Sequence, residues 1–148
     1  MALAYDNERW NRVMAAHRAW WDGTLDRPLI HLTCGNRDPG RPEPALPARE
    51  FTSFYDNGVP AAAIADRWLY DLECREFIGD AFPQVYPNFG PGVIAAFLGL
   101  ELKNGNDTVW FHPATVRELA DTSFAIQPDN PWYRRVCDIY RAAADRFE

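Results

Sequence analysis

The chain lacks the features that mark a membrane or secreted protein. Its longest apolar stretch, Val93–Leu100, is far shorter than the roughly 20 residues that cross a bilayer. The first residues lack the basic, apolar and small-residue succession of a secretory signal. We therefore expect a cytoplasmic protein with no membrane partner.

Cysteine and positive charge are also scarce. The three cysteines, Cys34, Cys74 and Cys137, are odd in number and widely spaced, which predicts free thiols rather than disulfides or a CxxC metal site. The 15 basic residues are outnumbered by 21 acidic ones, for a net charge of −6, and no concentrated basic face is visible. Because phosphate backbones require such a face, we expect no nucleic-acid partner.

The chain does contain enough apolar residues, 47%, for a globular core. Its most informative segment is Phe82–Gly99, which predicts a strand at Phe82–Tyr86, a Pro/Gly-rich loop and a helix. Loops of this kind expose backbone N–H groups and short polar side chains to ligands. The sequence therefore predicts a ligand site at Asn88–Gly92, with Asn88, Phe89 and Gly90 as binding residues.

A second candidate site follows an earlier predicted strand. Leu29–Cys34 has the length and composition of a buried strand, and the proline-rich loop Gly35–Pro47 leaves it. That loop carries Arg37 and Arg41, whose planar guanidinium groups suit carboxylates or phosphates. The pair is interpreted either as a clamp for a polyanionic ligand or as two solvated surface charges.

Capping residues, apolar spacing and turn signals predict the remaining elements. The first two are a helix over Glu8–Trp21, capped by Asp6 or Asn7, and a helix from near Pro60 through Leu72. A hairpin within Leu100–Phe111 and a short helix at the capping box Thr115–Glu118 follow. Asn130 and Pro131 open the last helix, whose apolar stripe is Tyr133, Val136, Cys137, Tyr140, Ala143 or Ala144, and Phe147. The last helix has no stop signal, which indicates a chain that continues.

The histidines are not predicted to be catalytic. His17 lies at the edge of the first apolar stripe, and His112 follows the hairpin beside a proline; both are interpreted as structural residues. His31 and Cys34 point to opposite faces of one strand, so they form no nucleophile–base pair. Catalytic residues therefore stay unknown at this stage.

Several motifs resemble the uroporphyrinogen decarboxylase superfamily, which includes cobalamin-dependent and coenzyme M methyltransferases. Leu32–Arg41 is similar to the end of that family's first barrel strand with its R-x-x-G-R loop, and Phe82–Leu102 is similar to its second strand, active-site loop and following helix. The hairpin and the Thr115 capping box follow in the family's order. The similarity covers approximately Glu8 to Phe147.

The resemblance implies an α/β fold, namely the N-terminal part of a (β/α)8 TIM barrel that is incomplete in this chain. A full barrel needs about 250 residues, whereas this chain has 148, so residues 1–148 are predicted to form a single partial domain. Its open sheet edges would invite oligomer formation. In the decarboxylases the two loop arginines bind substrate carboxylates, which implies that role for Arg37 and Arg41.

The resemblance also implies candidate functions. One is the N-terminal part of a lyase or methyltransferase that binds an anionic, tetrapyrrole or corrinoid-related ligand and is inactive on its own. Asn88 stands where the decarboxylases place a carboxylate, which argues against true uroporphyrinogen decarboxylation. No cofactor is predicted in this chain, although zinc or a corrinoid protein partner is implied for a full-length methyltransferase. The alternative is a non-catalytic binding or interaction module.

Overall fold

The computed structural model describes residues 3, 5–35, 37–116, 118–121 and 124–147, without the side chain of Leu119. Four α-helices and four strands alternate irregularly along these residues. In chain order they are α1 (Asn7–Trp21), β1 (His31–Cys34), α2 (Ala61–Glu73), β2 (Glu76–Gly79), α3 (Val93–Phe97), β3 (Glu101–Asn104), β4 (Val109–His112) and α4 (Pro131–Phe147), with 3-10 turns at Thr52–Phe54 and Leu119–Asp121.

The chain divides into two compact units. The first unit comprises residues 1–45 and 67–85, and the second comprises residues 46–66 and 86–148. Helix α2 contributes its N-terminal half to the second unit and its C-terminal half to the first. Each unit has its own two-stranded sheet and its own buried side chains.

The first unit is built on an antiparallel pair. β1 pairs with β2 so that His31 lies opposite Gly79 and Cys34 lies opposite Glu76. A small core of Leu72, Phe77 and Ala81 is covered by partly buried Leu3, Tyr5 and Val85. Because so few apolar side chains are buried, their contribution to the free energy of unfolding is small. Polar contacts therefore account for a larger share of the stability of this unit.

The strongest of those polar contacts joins the segment before β1 to the residue after β2. The Asp80 carboxylate receives two hydrogen bonds from the Arg27 guanidinium, of 2.6 and 2.8 Å, and a third of 2.9 Å from the backbone N–H of Ile30. These bonds, Arg27 first, hold the Asp80 pKa well below its usual range, although burial opposes the shift. The carboxylate therefore stays charged at neutral pH and ties the start of β1 to the end of β2, which lie at the same end of the sheet.

The second unit packs helices on a hairpin. β3 pairs with β4, with Glu101 opposite His112 and Asn104 opposite Val109, and α3 contacts both strands as well as α4. Asn130 caps α4 by accepting hydrogen bonds from Trp132 and Tyr133, and its amide donates to the Ala96 carbonyl of α3 at 2.8 Å. Asn130 therefore both caps α4 and attaches it to α3.

The predicted barrel fragment is wrong. Both sheets of the described residues are antiparallel and two-stranded, whereas the first strands of a (β/α)8 barrel are parallel. The predicted strand Phe82–Tyr86 lies in extended coil, because Pro83 lacks an N–H and Pro87 follows directly. The strand forms earlier, at β2, directly after α2, and it runs back along β1.

Several local predictions are confirmed, but the predicted burial of the first strand is not. α1 starts at the Asp6 cap, α2 and α3 lie where the apolar spacing placed them, and the Asn-Gly segment turns a hairpin. The prediction that Leu29–Cys34 is buried is wrong: the strand is shorter, and all four of its residues are exposed. Each strand of this two-stranded sheet has an edge unpaired within the described residues, while oligomer formation through it stays a prediction.

The C-terminal predictions hold in part. α4 has the predicted bounds, but its buried positions are Ile139 and Ala143, whereas Tyr140 and Phe147 are exposed. The capping box at Thr115–Glu118 precedes a 3-10 turn rather than an α-helix, and its third residue, Arg117, lies outside the described residues. Within the described part of the chain, no helix combines the length and apolar content needed to cross a membrane.

Candidate anion-binding site

The first unit contains a cavity of about 470 Å³. This volume lies within the range typical of small-molecule sites. Three of its lining side chains are arginines. The lining residues are Leu3, Arg9, Arg37, Arg75, Glu76 and Phe77.

Helix α1 positions the first of these arginines. Arg9 lies in the first turn, where its backbone N–H donates to the Asp6 cap at 2.8 Å. Its guanidinium lies over the Tyr5 ring, 4.9 Å from the centroid, and its Nη2 donates to the Phe77 carbonyl of β2. These two contacts hold the head group at the cavity wall.

The other two arginines come from the ends of neighbouring elements. Arg37 follows β1, and its backbone N–H donates to the Cys74 carbonyl at 3.0 Å, which ties the loop to the end of α2. Arg75 lies between α2 and β2, and its N–H donates to the Leu72 carbonyl at 3.0 Å. The antiparallel pairing of β1 with β2 therefore brings residues distant in sequence to one cavity.

The cavity is electrostatically positive in an acidic protein. Three arginines line it, and Glu76 is the one acidic residue among its lining residues. Within the described residues, none of the three arginines forms an ion pair with a carboxylate. The Nε of Arg9 is buried and has no hydrogen-bond partner there. A buried donor without a partner costs free energy, so the Arg9 side chain is held there at some expense to stability.

Tyr5, which packs against the Arg9 guanidinium, is neutral. Burial raises its pKa, an effect that the neighbouring Arg9 and Arg12 charges oppose. Its hydroxyl donates to the Ala81 carbonyl at 3.3 Å. The phenol is therefore un-ionised at neutral pH and presents no charge that would repel an anion.

Arg41 is held elsewhere. Its Nε lies 2.6 Å from the Glu73 carboxylate, whose side chain is 7% exposed, and its guanidinium lies 5.2 Å from the Tyr70 ring centroid. It is not one of the cavity-lining residues. The structure thus places Arg37 at the cavity and Arg41 in an ion pair that joins the loop to α2.

The predicted loop site at Asn88–Gly92 belongs to the second unit. Asn88 accepts a hydrogen bond from the Gly90 N–H at 3.0 Å, and its amide reaches the Glu50 carbonyl at 3.4 Å. Phe89 is 2% exposed, with its ring 6.2 Å from that of Trp132. These contacts turn the chain at Gly90 and bury the Phe89 ring, while ligand binding at this loop stays a prediction.

We expect Asn88→Ala to lower the free energy of unfolding by about 1 kcal/mol, because the buried N–H of Gly90 loses its acceptor. Asn88→Asp keeps an oxygen for that N–H and should cost less. Chemical denaturation of both variants measures the difference. Equal stability of wild type and Asn88→Ala would contradict a structural role for the side chain.

Sequence reasoning missed Arg9 and Arg75. One signal was available: Arg9 lies in the first turn of a predicted helix, where the helix dipole disfavours a positive charge. A positive charge at this position does not stabilise the helix, which marks Arg9 as a residue to examine. Arg75 carried no comparable signal, because only the sheet pairing brings it near Arg37.

Comparisons with known proteins add no family to this description. No protein-family model, no curated protein and no solved structure matches the chain. The site is therefore interpreted from its own chemistry.

Proposed function

We propose that the first unit binds a small polycarboxylate in the cavity lined by Arg9, Arg37 and Arg75. The observation that carries this proposal is that Arg9, Arg37 and Arg75 line one cavity and have no carboxylate partner among the described residues. Guanidinium forks bind planar carboxylates through paired hydrogen bonds. A ligand with several carboxylates can engage more than one of them.

The two functions suggested by the sequence share this first step. An enzyme related to the uroporphyrinogen decarboxylase superfamily and a non-catalytic binding module would both hold an anionic ligand through Arg37. The family relationship, its lyase or methyltransferase chemistry, and the zinc or corrinoid partner it implies stay predictions. The cytoplasm remains the proposed compartment, in agreement with free thiols at Cys34, Cys74 and Cys137.

Titration calorimetry with citrate tests the proposal. We expect saturable binding by the wild type and an affinity lower by about tenfold or more in Arg37→Gln, because a hydrogen bond to a charged group contributes about 1.5–3 kcal/mol and 1.4 kcal/mol corresponds to a factor of ten. Arg9→Gln should act similarly. Affinity should also fall with added salt.

Arg12→Gln is the matched control, since Arg12 lies on the same helix as Arg9, is exposed and does not line the cavity. It removes the same charge and should leave citrate affinity unchanged. If Arg12→Gln and Arg37→Gln lost the same citrate affinity, the loss would come from the change in net charge and not from a contact in the cavity. Pyrophosphate binding that exceeds citrate binding would reassign the site to phosphate ligands.

A further inference from the structure

We propose that His17 and His31 bind one divalent transition-metal ion of the zinc class. Helix α1 and strand β1 place the two imidazoles together, with their Nε2 atoms 3.0 Å apart. This inference rests on other atoms than the arginine cavity and does not depend on the proposed function.

The His17 Nε2 has two electron-rich neighbours, the His31 Nε2 and the Asp80 carbonyl oxygen. The Asp80 carbonyl oxygen lies 3.3 Å from the His17 Nε2, which itself faces the His31 Nε2. At neutral pH an imidazole nitrogen carries either a lone pair or one hydrogen. Two lone pairs or two N–H groups at 3.0 Å would repel, so either a single shared proton or a single cation is accommodated.

The distance between the imidazoles suits a metal. Zinc binds histidine nitrogen at about 2.0–2.1 Å, so two nitrogens 3.0 Å apart can both reach one ion at an angle close to a right angle. Small side-chain rotations would open that angle toward a tetrahedral arrangement. Neutral imidazole is also the commonest protein ligand for such ions.

Neighbouring residues hold the two imidazole rings in place and leave the site open to solvent. Phe82 packs edge-on against both imidazoles, with its ring centroid 5.6 Å from that of His17 and 5.8 Å from that of His31. The Asp80 carboxylate is engaged by Arg27 and the Ile30 N–H, which fixes the residue whose carbonyl faces the site. His31 is exposed, so water can complete the coordination.

The protein donors would be two imidazoles and at most one carbonyl. Among the described residues, no group of three or more His, Cys, Asp or Glu side chains is placed to hold a metal. A site of this kind is open, with several water-filled positions, and it binds a metal reversibly rather than as part of the folded core.

Histidine-ring NMR of the tag-free chain, titrated with zinc, tests the site. We expect the ring signals of His17 and His31 to shift together and saturate at one equivalent, while those of His112, an exposed histidine of the second unit, stay in place. His112→Gln is the matched control variant. Unchanged His17 and His31 signals would overturn the proposal and leave a shared proton between the rings.

Zinc affinity, measured by competition with a chromophoric chelator, gives a second readout. His31→Gln should weaken binding more than about tenfold, the lower bound for losing even an outer-shell partner, and His112→Gln should not. Because His31 is exposed, its variant should fold even if His17→Gln does not.

A further experiment distinguishes metal bound by histidine side chains from metal bound by cysteine thiolates. Cobalt in place of zinc gives a thiolate charge-transfer absorption only when a cysteine is a ligand. We expect cobalt to bind without that absorption. A strong thiolate band in both wild type and His31→Gln would assign the metal to Cys34 or another thiol and contradict the proposal.

Discussion

Replacing Asp80 with alanine is expected to lower the free energy of unfolding of the first unit by about 2–3 kcal/mol. The Asp80 side chain is 6% exposed and accepts three hydrogen bonds, two from Arg27 and one from the Ile30 N–H. Alanine leaves the Ile30 N–H without its acceptor. The Arg27 side chain is 46% exposed, so water can solvate the freed guanidinium and limit the loss.

Urea denaturation of wild type and Asp80→Ala measures this loss. Asp26→Ala is the control, since Asp26 is an exposed carboxylate next to Arg27 in sequence and accepts no hydrogen bond from it among the described contacts. We expect Asp26→Ala to stay within about 0.5 kcal/mol of wild type, as surface substitutions usually do. If both variants lost a similar free energy of unfolding, the loss would come from removing a negative charge and not from the specific Asp80 hydrogen bonds.

The stabilisation that the Asp80 contacts provide should also depend on pH. Its pKa is lowered in the folded state, so the stabilisation is fully present above the unfolded carboxyl pKa of about 3.9 and is lost as the pH falls through the lower, folded-state pKa. The stability difference between wild type and Asp80→Ala should therefore be constant from about pH 5 to pH 8 and shrink below about pH 4. A difference that grew on acidification would have the wrong sign for this account.

The second large effect is expected from Gly90→Ala, which should destabilise the second unit by about 2–4 kcal/mol. Gly90 has a φ of +85°, in the left-handed region that disfavours a side chain. A Cβ built there would also lie 2.8 Å from the Cβ of Val109, a buried residue of β4. The backbone strain and the steric clash add to one another.

Gly99→Ala separates the two causes. Gly99 also has a positive φ, +99°, but no heavy atom lies within 4 Å of a Cβ built there. It should therefore cost only the conformational part, about 1–2 kcal/mol. Thermal denaturation of the two variants gives the difference as the cost of the Val109 contact. If Gly99→Ala were as destabilising as Gly90→Ala, close packing of the loop on β4 would not be the cause.

Local interactions account for the parts that could be predicted from sequence. Asp6 and Asn130 cap their helices through hydrogen bonds to residues two or three positions away, and the Asn104-Gly105 turn closes between neighbouring strands. Such signals depend on short separations along the chain. For this reason the helix bounds and the hairpin were predicted well, and Arg37 could be singled out from its loop.

Strand direction and the composition of the site could not be predicted in this way. A short apolar strand fits a parallel or an antiparallel partner equally well, and the family resemblance favoured the parallel arrangement. The structure pairs Leu32 with Ile78 in antiparallel register. That register, rather than any motif, sets Arg75 beside Arg37.

Composition and contacts within one turn set the four helices, their caps, the hairpin and the acidic, cysteine-poor character of the chain, so these could be predicted from the sequence. Packing between elements sets the strand pairing, the cavity lined by Arg9 and Arg75, the Arg27–Asp80 contact and the approach of His17 to His31. Each of these joins residues 14 to 68 positions apart, as in His17 with His31 and Arg9 with Phe77. Such contacts follow from how the elements pack, for which local residue patterns carry no signal.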